Sequence, residues 1–494
     1  MTRGQLKLRL KTKLHGRYRH VSMLAAAMML AAMSQLVGSQ TLTDAAKLAD
    51  IAQFRSEFLA RDRAYSPSAR LEAERRLASL QERLAAVDGT RFGLELAQIV
   101  ALADNGHTAS YGGPRLARHN RVDIRMAPFG AEFHVVRSRD SDADLLGAKL
   151  LAIDEVPIDQ LRVTGRTLTG GLPAWRDRQT PFLLESPQLL YALGVTRSGE
   201  SAVYRFATLD GRSVNRRLVG QQPSNDRPRA DTASLLLPET ITKVDGGWLT
   251  LLPLARAPWS LRDAGQPLRW RHVPELSALV VDMRQTSSSP NAQLPEFFEA
   301  VRAASRELKP NHLVLDLRLN SGGDLTQARD FAESLPALVP GRVFVLTSAW
   351  TFSAAIAITG YLKQAAPARV RIVGEAIGDR LEFFAEGTPV KLTHSAELVL
   401  PATERHDYVD GCRHYSDCHE PVVRRPIIIA TLAPDIVAPW TIDNYRLGVD
   451  PAWVAVATEL RPAAAPLAIA HGRAQTLALS LLSATTRKTI GVIW

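Results

Sequence analysis

The stretch Asn311-His-Leu-Val-Leu-Asp-Leu-Arg-Leu-Asn320-Ser-Gly-Gly-Asp324 sets how this chain folds. Its first half is a short apolar run that reads as a buried strand, and Asn320-Ser321-Gly322-Gly323 turns the chain. Asp324 to Leu338 then carries apolar residues at helical spacing. Arg342-Val-Phe-Val-Leu-Thr347 is a second buried strand, and Trp350-Thr-Phe-Ser-Ala-Ala-Ile-Ala-Ile358 opens a helix of small residues. Val370-Arg-Ile-Val373 is a third strand, closed by Gly374-Glu375. Strands joined through helices need right-handed crossovers and therefore pair in parallel. The expected class is α/β, and the Gly-Gly turn and Ser353 fall together at the carboxyl edge of neighbouring strands. Open α/β sheets place their chemistry there.

Working outward, Leu279-Val-Val-Asp-Met283 and the helical segment Leu294 to Leu308 lead into this core, and Thr242 to Leu254 precedes them. Phe383 to Gly387, Val390 to Thr393 and Glu397 to Leu400 follow as strands. Toward the N-terminus, Thr41 to Ala103 is helical, with Leu71, Leu77, Leu80 and Leu84 at helical spacing. It ends in Asp104-Asn-Gly-His-Thr108, a sharp turn holding His107. Arg121 to Leu218 reads as short strands and turns, with Gly170 to Gln188 as an inserted segment. Gln221 to Asp231 is polar and proline-bearing, hence a linker. The tail from Pro462 is Ala- and Leu-rich and reads as a packing helix.

The chain has 494 residues, 46% hydrophobic and 22% charged, with a net charge of +10. That excess does not mark a nucleic-acid binder. Arg3, Lys7, Arg9, Lys11, Lys13, Arg17 and Arg19 precede any acid; without these seven, 53 basic residues stand against 50 acidic ones. The uncharged run Val21 to Val37 follows, then Gly38-Ser39, which reads as a secretory signal; an uncleaved anchor that ties the chain to a membrane is the alternative. A periplasmic or secreted location follows. The two cysteines, Cys412 and Cys418, have five residues between them, and in an oxidising compartment they form a local disulfide. His414, Asp417 and His419 in the same loop suggest a metal instead, but the spacing fits no common zinc pattern.

Gly-x-Ser-x-Gly, His-Glu-x-x-His and a phosphate loop are all absent. What remains is Asn-Ser-Gly-Gly beside Thr-Phe-Ser-Ala-Ala. Glycine lets its backbone N–H approach a developing oxyanion, and a serine at a helix start has the dipole and the next N–H, on Ala354, beside it. Taken singly, these are a generic turn and a capping serine.

Together with Asp104-Asn-Gly-His-Thr108, Leu315-Asp-Leu-Arg-Leu-Asn-Ser-Gly-Gly323, Leu346-Thr-Ser-Ala-Trp-Thr-Phe-Ser-Ala-Ala355, Ile372-Val-Gly-Glu375 and Ala433-Pro-Asp-Ile-Val437, they resemble the S41 serine peptidases. That family includes the C-terminal processing proteases, the tricorn core and the repeats of interphotoreceptor retinoid-binding protein. The resemblance implies a ClpP/crotonase-like catalytic core. Residues 1–39 would be the export segment, 40–120 a helical domain carrying His107, 121–220 a PDZ-like β-rich module, 221–231 the linker and 232–494 the catalytic domain. The phrase Asp144-Leu-Leu-Gly-Ala-Lys-Leu-Leu-Ala-Ile-Asp-Glu-Val-Pro-Ile158 carries the PDZ likeness, a module that captures extended chains at a sheet edge.

It further implies Ser353 as nucleophile, with Ala354 and Gly322 or Gly323 as oxyanion donors. The Ser-Lys branch places a lysine about two dozen residues past the serine. Here that neighbourhood reads Gly378-Asp379-Arg380, and arginine is a poor base. Lys363 lies about 15 Å along the helix from Ser353, out of reach. The tricorn-like branch takes a histidine, which His107 matches, and a glutamate before the Pro-Asp phrase; Arg425-Pro-Ile-Ile-Ile-Ala430 holds no acid. Glu375 is the expected substitute, with Glu386 and Glu420 as others.

The expectation is a serine peptidase acting on polypeptides, without metal or organic cofactor. The rivals are an inactive peptide-binding scaffold on the same fold and a crotonase-like acyl-CoA enzyme, the latter at odds with an export signal.

Overall fold

The computed structural model describes residues 42–223, 235–239 and 247–461. Residues 1–39, read as an export segment, most of the stretch 221–231, read as a linker, and the helix read after Pro462 lie outside those residues. Among the described residues no helix is long and apolar enough to cross a membrane.

Three helices open the chain: Asp44–Gln53 (α1), Pro67–Glu82 (α2) and Gly89–Val100 (α3). Thr43, Ser66 and Asp88 cap them by accepting backbone N–H bonds, which satisfies donors a helix start leaves free. Together with Phe54 and Phe58 in the turn that follows α1, the helices pack through Ile51, Leu77, Phe92 and Leu96 and also cover Val390, Leu392 and Val399, some 300 residues later. Just beyond His107, Ala109–Ser110 pairs antiparallel with Leu398–Leu400. Buried Asp62 ties the same two regions by accepting from Thr108 Oγ1 and Ala402 N, both at 2.8 Å. The turn holding His107 is therefore stitched to a distant segment on both sides.

An antiparallel sheet follows, in the order Ile124–Phe129 (β1), Glu132–Ser138 (β2), Lys149–Ile153 (β3), Ser201–Ala207 (β4) and Ser213–Val219 (β5). Its buried face holds Met126, Phe133, Tyr204 and Phe206. The segment read as an insertion forms short helices at Pro173–Gln179, Pro181–Leu184 and Pro187–Ala192. Each starts with proline, which lacks the N–H that a first turn would leave unbonded.

The second large sheet has β strands Leu268–Val273 (β6), Ala278–Met283 (β7), His312–Asp316 (β8), Val343–Thr347 (β9), Val370–Gly374 (β10) and, after the separate antiparallel pair Glu382–Ala385 (β11) and Glu404–Asp407 (β12), Ile436–Val437 (β13). The spatial order is β13-β10-β9-β8-β7-β6, parallel except for β6 against β7. Crossover helices Leu294–Leu308 (α4), Leu325–Ser334 (α5) and Ala354–Ala365 (α6) join successive parallel strands. The apolar runs of the sequence are buried on both faces, which is why they do not alternate with polar residues. The expected α/β core is thus the observed one.

A buried network lies under the carboxyl edge. Arg318 donates Nε and Nη2 to Asp316 at 2.9 and 2.6 Å, and Nη1 and Nη2 to Asp450 at 2.7 and 2.8 Å. Asp450 in turn accepts from Trp453 N and caps the helix Pro451–Leu460. Removing the cation strands two buried carboxylates. Arg318→Ala is expected to cost about 3–5 kcal/mol, read as a lower urea midpoint at unchanged m-value. Arg318→Lys should recover little, since a point charge cannot bridge both carboxylates bidentately.

Candidate active site

Two loops meet at the carboxyl edge of β8 and β9 and are laced by side chains. Ser348 Oγ donates to Arg318 O at 2.6 Å, Thr351 Oγ1 to Leu317 O at 2.9 Å, and Phe352 N to Asn320 O at 3.1 Å. Asn320 is fully buried: Nδ2 donates to Met283 O, while Oδ1 accepts from Thr286 Oγ1 and from Gly322 N. It holds the Gly-Gly turn in place. In sequence Asn320 is a turn former; its buried side chain makes it the anchor of the turn.

Ser353 stands at the N-cap of α6 with φ 54° and ψ −126°, and its side chain makes no capping bond. A non-glycine residue in that region costs on the order of 1–3 kcal/mol and persists only where surroundings enforce it. The Ala354 N–H, first of α6, has no acceptor within its own helix. Gly322, with φ +107°, sits against this corner: a Cβ there would lie 2.5 Å from Ser353 Cβ and 3.1 Å from Ala354 N. Of the two glycines expected to offer an N–H, Gly322 already donates to Asn320, whereas Gly323 N–H has no acceptor among the described residues. Gly322→Ala is expected to displace Ser353 and lower kcat about 100-fold or more, with a fall in Tm from the strained φ; steady-state kinetics and calorimetry would check both.

His107 reaches this corner from the N-terminal region. Its ring lies between Phe352, centroids 4.3 Å apart, and Phe383, at 4.8 Å. Asn105 fixes the turn by donating Nδ2 to Phe384 O and accepting from Phe384 N. Gly171, at φ +91°, approaches so closely that a Cβ would stand 2.9 Å from Gly106 Cα. His107 Nδ1 is 3.3 Å from Asp379 Oδ2, and its Nε2 is buried with no hydrogen-bond partner. The Asp379 side chain is 0% exposed and that of His107 10%. Ser353 and His107 line one cavity of about 330 Å³, otherwise walled largely by apolar side chains including Leu94, Trp175, Phe182 and Leu189.

The acid beside His107 is therefore Asp379, not Glu375. Glu375 lies elsewhere along the edge, 3.5 Å from Arg178 Nη2 and accepting from Trp440 N. Burial pushes the Arg178 guanidinium down to about 10, and its pairing with Glu375 keeps that carboxylate away from the cavity. Glu386 pairs with His406, and Glu420 with Arg424. Lys363 Nζ donates to Val370 O, and Arg380 extends to Asp104; neither approaches the serine. Asp379 had one sequence signal, its place in the neighbourhood where the lysine branch carries its base. Cys412 and Cys418 are placed as a bonded pair with Cα atoms 6.2 Å apart.

No protein-family profile matches the sequence, and no curated protein does. Among solved structures the chain is similar to mature CPAF complexed with lactacystin, at TM-score 0.53 and 11% identity over 84% of this chain and 98% of that one. It is similar to mature CPAF at TM-score 0.52 and 13% identity over 84% and 98%. The photosystem II D1 C-terminal processing protease aligns over 84% and 99% at 13% identity, with TM-score 0.36. The likeness to mature CPAF shows a shared fold.

Proposed function

We propose that this chain is a serine peptidase. The shared fold supports a protease in general terms. The observation that carries the specific reading is His107: its Nδ1 faces a fully buried carboxylate while its Nε2, without partner, is buried at the cavity that Ser353 lines. With Nδ1–H donating to Asp379, the Nε2 lone pair is free to accept the Ser353 proton.

In this reading Ser353 Oγ attacks the peptide carbonyl as His107 takes its proton, and the imidazolium then protonates the leaving amine. Asp379 orients the ring and stabilises its charged form. The Ala354 N–H and the Gly-Gly turn receive the oxyanion. Water attacks the acyl-enzyme with His107 again as base. His107 Nε2 makes no hydrogen bond to Ser353 Oγ, and catalytic pairs of this kind often tighten only around the reacting substrate. The antiparallel sheet β1–β5 would serve as the PDZ-like module that holds an extended peptide, and export through residues 1–39 would bring the enzyme to its substrates.

A fluorophosphonate probe tests the reading. Wild type is expected to gain one adduct, located on Ser353 by mass spectrometry, and Ser353→Ala none. Equal absence of labelling in both, with peptide binding retained, would favour the inactive scaffold.

A further inference from the structure

Behind the candidate site lies a second constellation, whose far end the mechanism does not use. The rings of Trp175, Phe352, His107, Phe383, His406 and His419 form one continuous stack, with successive centroids 4.0, 4.3, 4.8, 4.8 and 4.9 Å apart. The near end faces the cavity. The far end is two imidazoles beside Glu386, at the exit of the Cys412–Cys418 loop.

Both imidazoles are oriented through Nδ1. His419 Nδ1 pairs with Glu404 Oε2 at 2.6 Å, and His406 Nδ1 with the hydroxyl of buried Tyr408 at 3.0 Å. Both Nε2 atoms then turn to a single oxygen, Glu386 Oε1, at 3.2 Å for His406 and 4.0 Å for His419. All three atoms lie within 4.8 Å of one another. At 4.0 Å the His419 ring faces that oxygen without bonding to it, so one of the two converging nitrogens is left without a partner there. Histidines whose far nitrogen is fixed by a carboxylate or hydroxyl are typical of metal ligands. Glu386 itself sits at φ +61°, an unfavourable conformation for glutamate, with its carbonyl accepting from Thr403 Oγ1.

We propose that Glu386, His406 and His419 bind a divalent ion of the Zn²⁺ class. Two neutral imidazoles and one carboxylate suit a borderline ion in tetrahedral geometry, whereas Ca²⁺ and Mg²⁺ demand oxygen ligands. Metal–ligand bonds of about 2.0–2.2 Å require the three atoms to close in by roughly an ångström. The Glu386 and His419 side chains, 31% and 18% exposed, have room for that movement. Their exposure leaves the fourth position to water. The loop's His414 and Asp417, grouped with His419 on sequence, are not ligands: His414 is exposed, and Asp417 accepts from Arg405 N–H groups. The ion would clamp the β11–β12 pair to the disulfide loop, one ring behind Phe383 and two behind His107.

The test uses untagged full-length protein stripped with chelator and titrated with Zn²⁺ alone by calorimetry, then with Co²⁺ by visible absorption. The expected result is saturation at one ion per chain, a tetrahedral Co²⁺ spectrum and a Tm that rises with Zn²⁺. His419→Ala and Glu386→Gln should each abolish saturable binding, and Glu404→Gln should weaken it about 10- to 100-fold. These three positions are partly exposed, so the variants should retain the apo Tm. Absence of saturable binding, or wild-type affinity in both His419→Ala and Glu386→Gln, would overturn the proposal. None of these readouts involves peptidase activity, so the assignment of Ser353 stands or falls separately.

Discussion

Ser353→Ala should lower kcat on the order of 10⁶-fold on a peptide substrate, the scale seen when a serine nucleophile is removed from an intact constellation. The loss should fall in kcat with KM little changed, because the cavity walls, the turn and His107 all remain. Stability offers a second, sharper readout. Ser353 is held at φ 54° and ψ −126°, where a Cβ is unfavourable and glycine is not. Ser353→Ala keeps that strain, whereas Ser353→Gly relieves it. Both variants should be equally inactive, yet Ser353→Gly should unfold at a higher urea concentration than Ser353→Ala, by about 1 kcal/mol. The difference separates a strained, functionally placed serine from an ordinary helix cap. For an ordinary cap the Ala variant would lose stability relative to wild type and the Gly variant only slightly. Retained turnover in Ser353→Ala would end the assignment of Ser353 as nucleophile.

Asp379→Asn should reduce kcat about 10³- to 10⁴-fold while leaving the fold intact, the effect known for a triad aspartate that is made neutral. The side chain is fully buried and one oxygen faces His107 Nδ1. An amide there can present its NH₂ to Nδ1, which puts the ring proton on Nε2 and disables it as a base; it also removes the charge that stabilises the imidazolium. Glu375→Gln is the control. That carboxylate faces Arg178 and the Trp440 N–H, so kcat should stay within a few-fold of wild type. If Glu375→Gln were the more damaging change, the acid assigned from the structure would be wrong and the assignment from sequence right.

The contrast between these two acids shows where the sequence stops being legible. Glu375 follows directly from β10, and adjacency to a strand end made it the natural choice. Asp379 is four residues further along, past a turn in which Gly378 approaches the Ala349 carbonyl so closely that a Cβ would stand 2.4 Å away. No periodicity encodes such a turn, so which carboxylate swings toward His107 was undecidable from local pattern. The same holds for Gly322 and Gly323. Either one fits as the donor by sequence, but Asn320 Oδ1 accepts from the first, and that is a contact between side chain and turn with no spacing rule behind it.

The sequence by itself determined the local and repetitive features: the apolar strand runs, the helical spacing between them, the parallel pairing that follows from crossover connections, and Ser353 at a strand-to-helix corner. Each arises from forces between residues near in the chain, so each leaves a short-range trace. The tertiary structure alone decided what meets across long separations. His107 and Asp379 are 272 residues apart, and the stack from Trp175 to His419 draws on six separate segments. Such meetings depend on the summed packing of every core at once, chiefly the docking of α1–α3 on the Leu398–Leu400 strand. No window of sequence contains that sum.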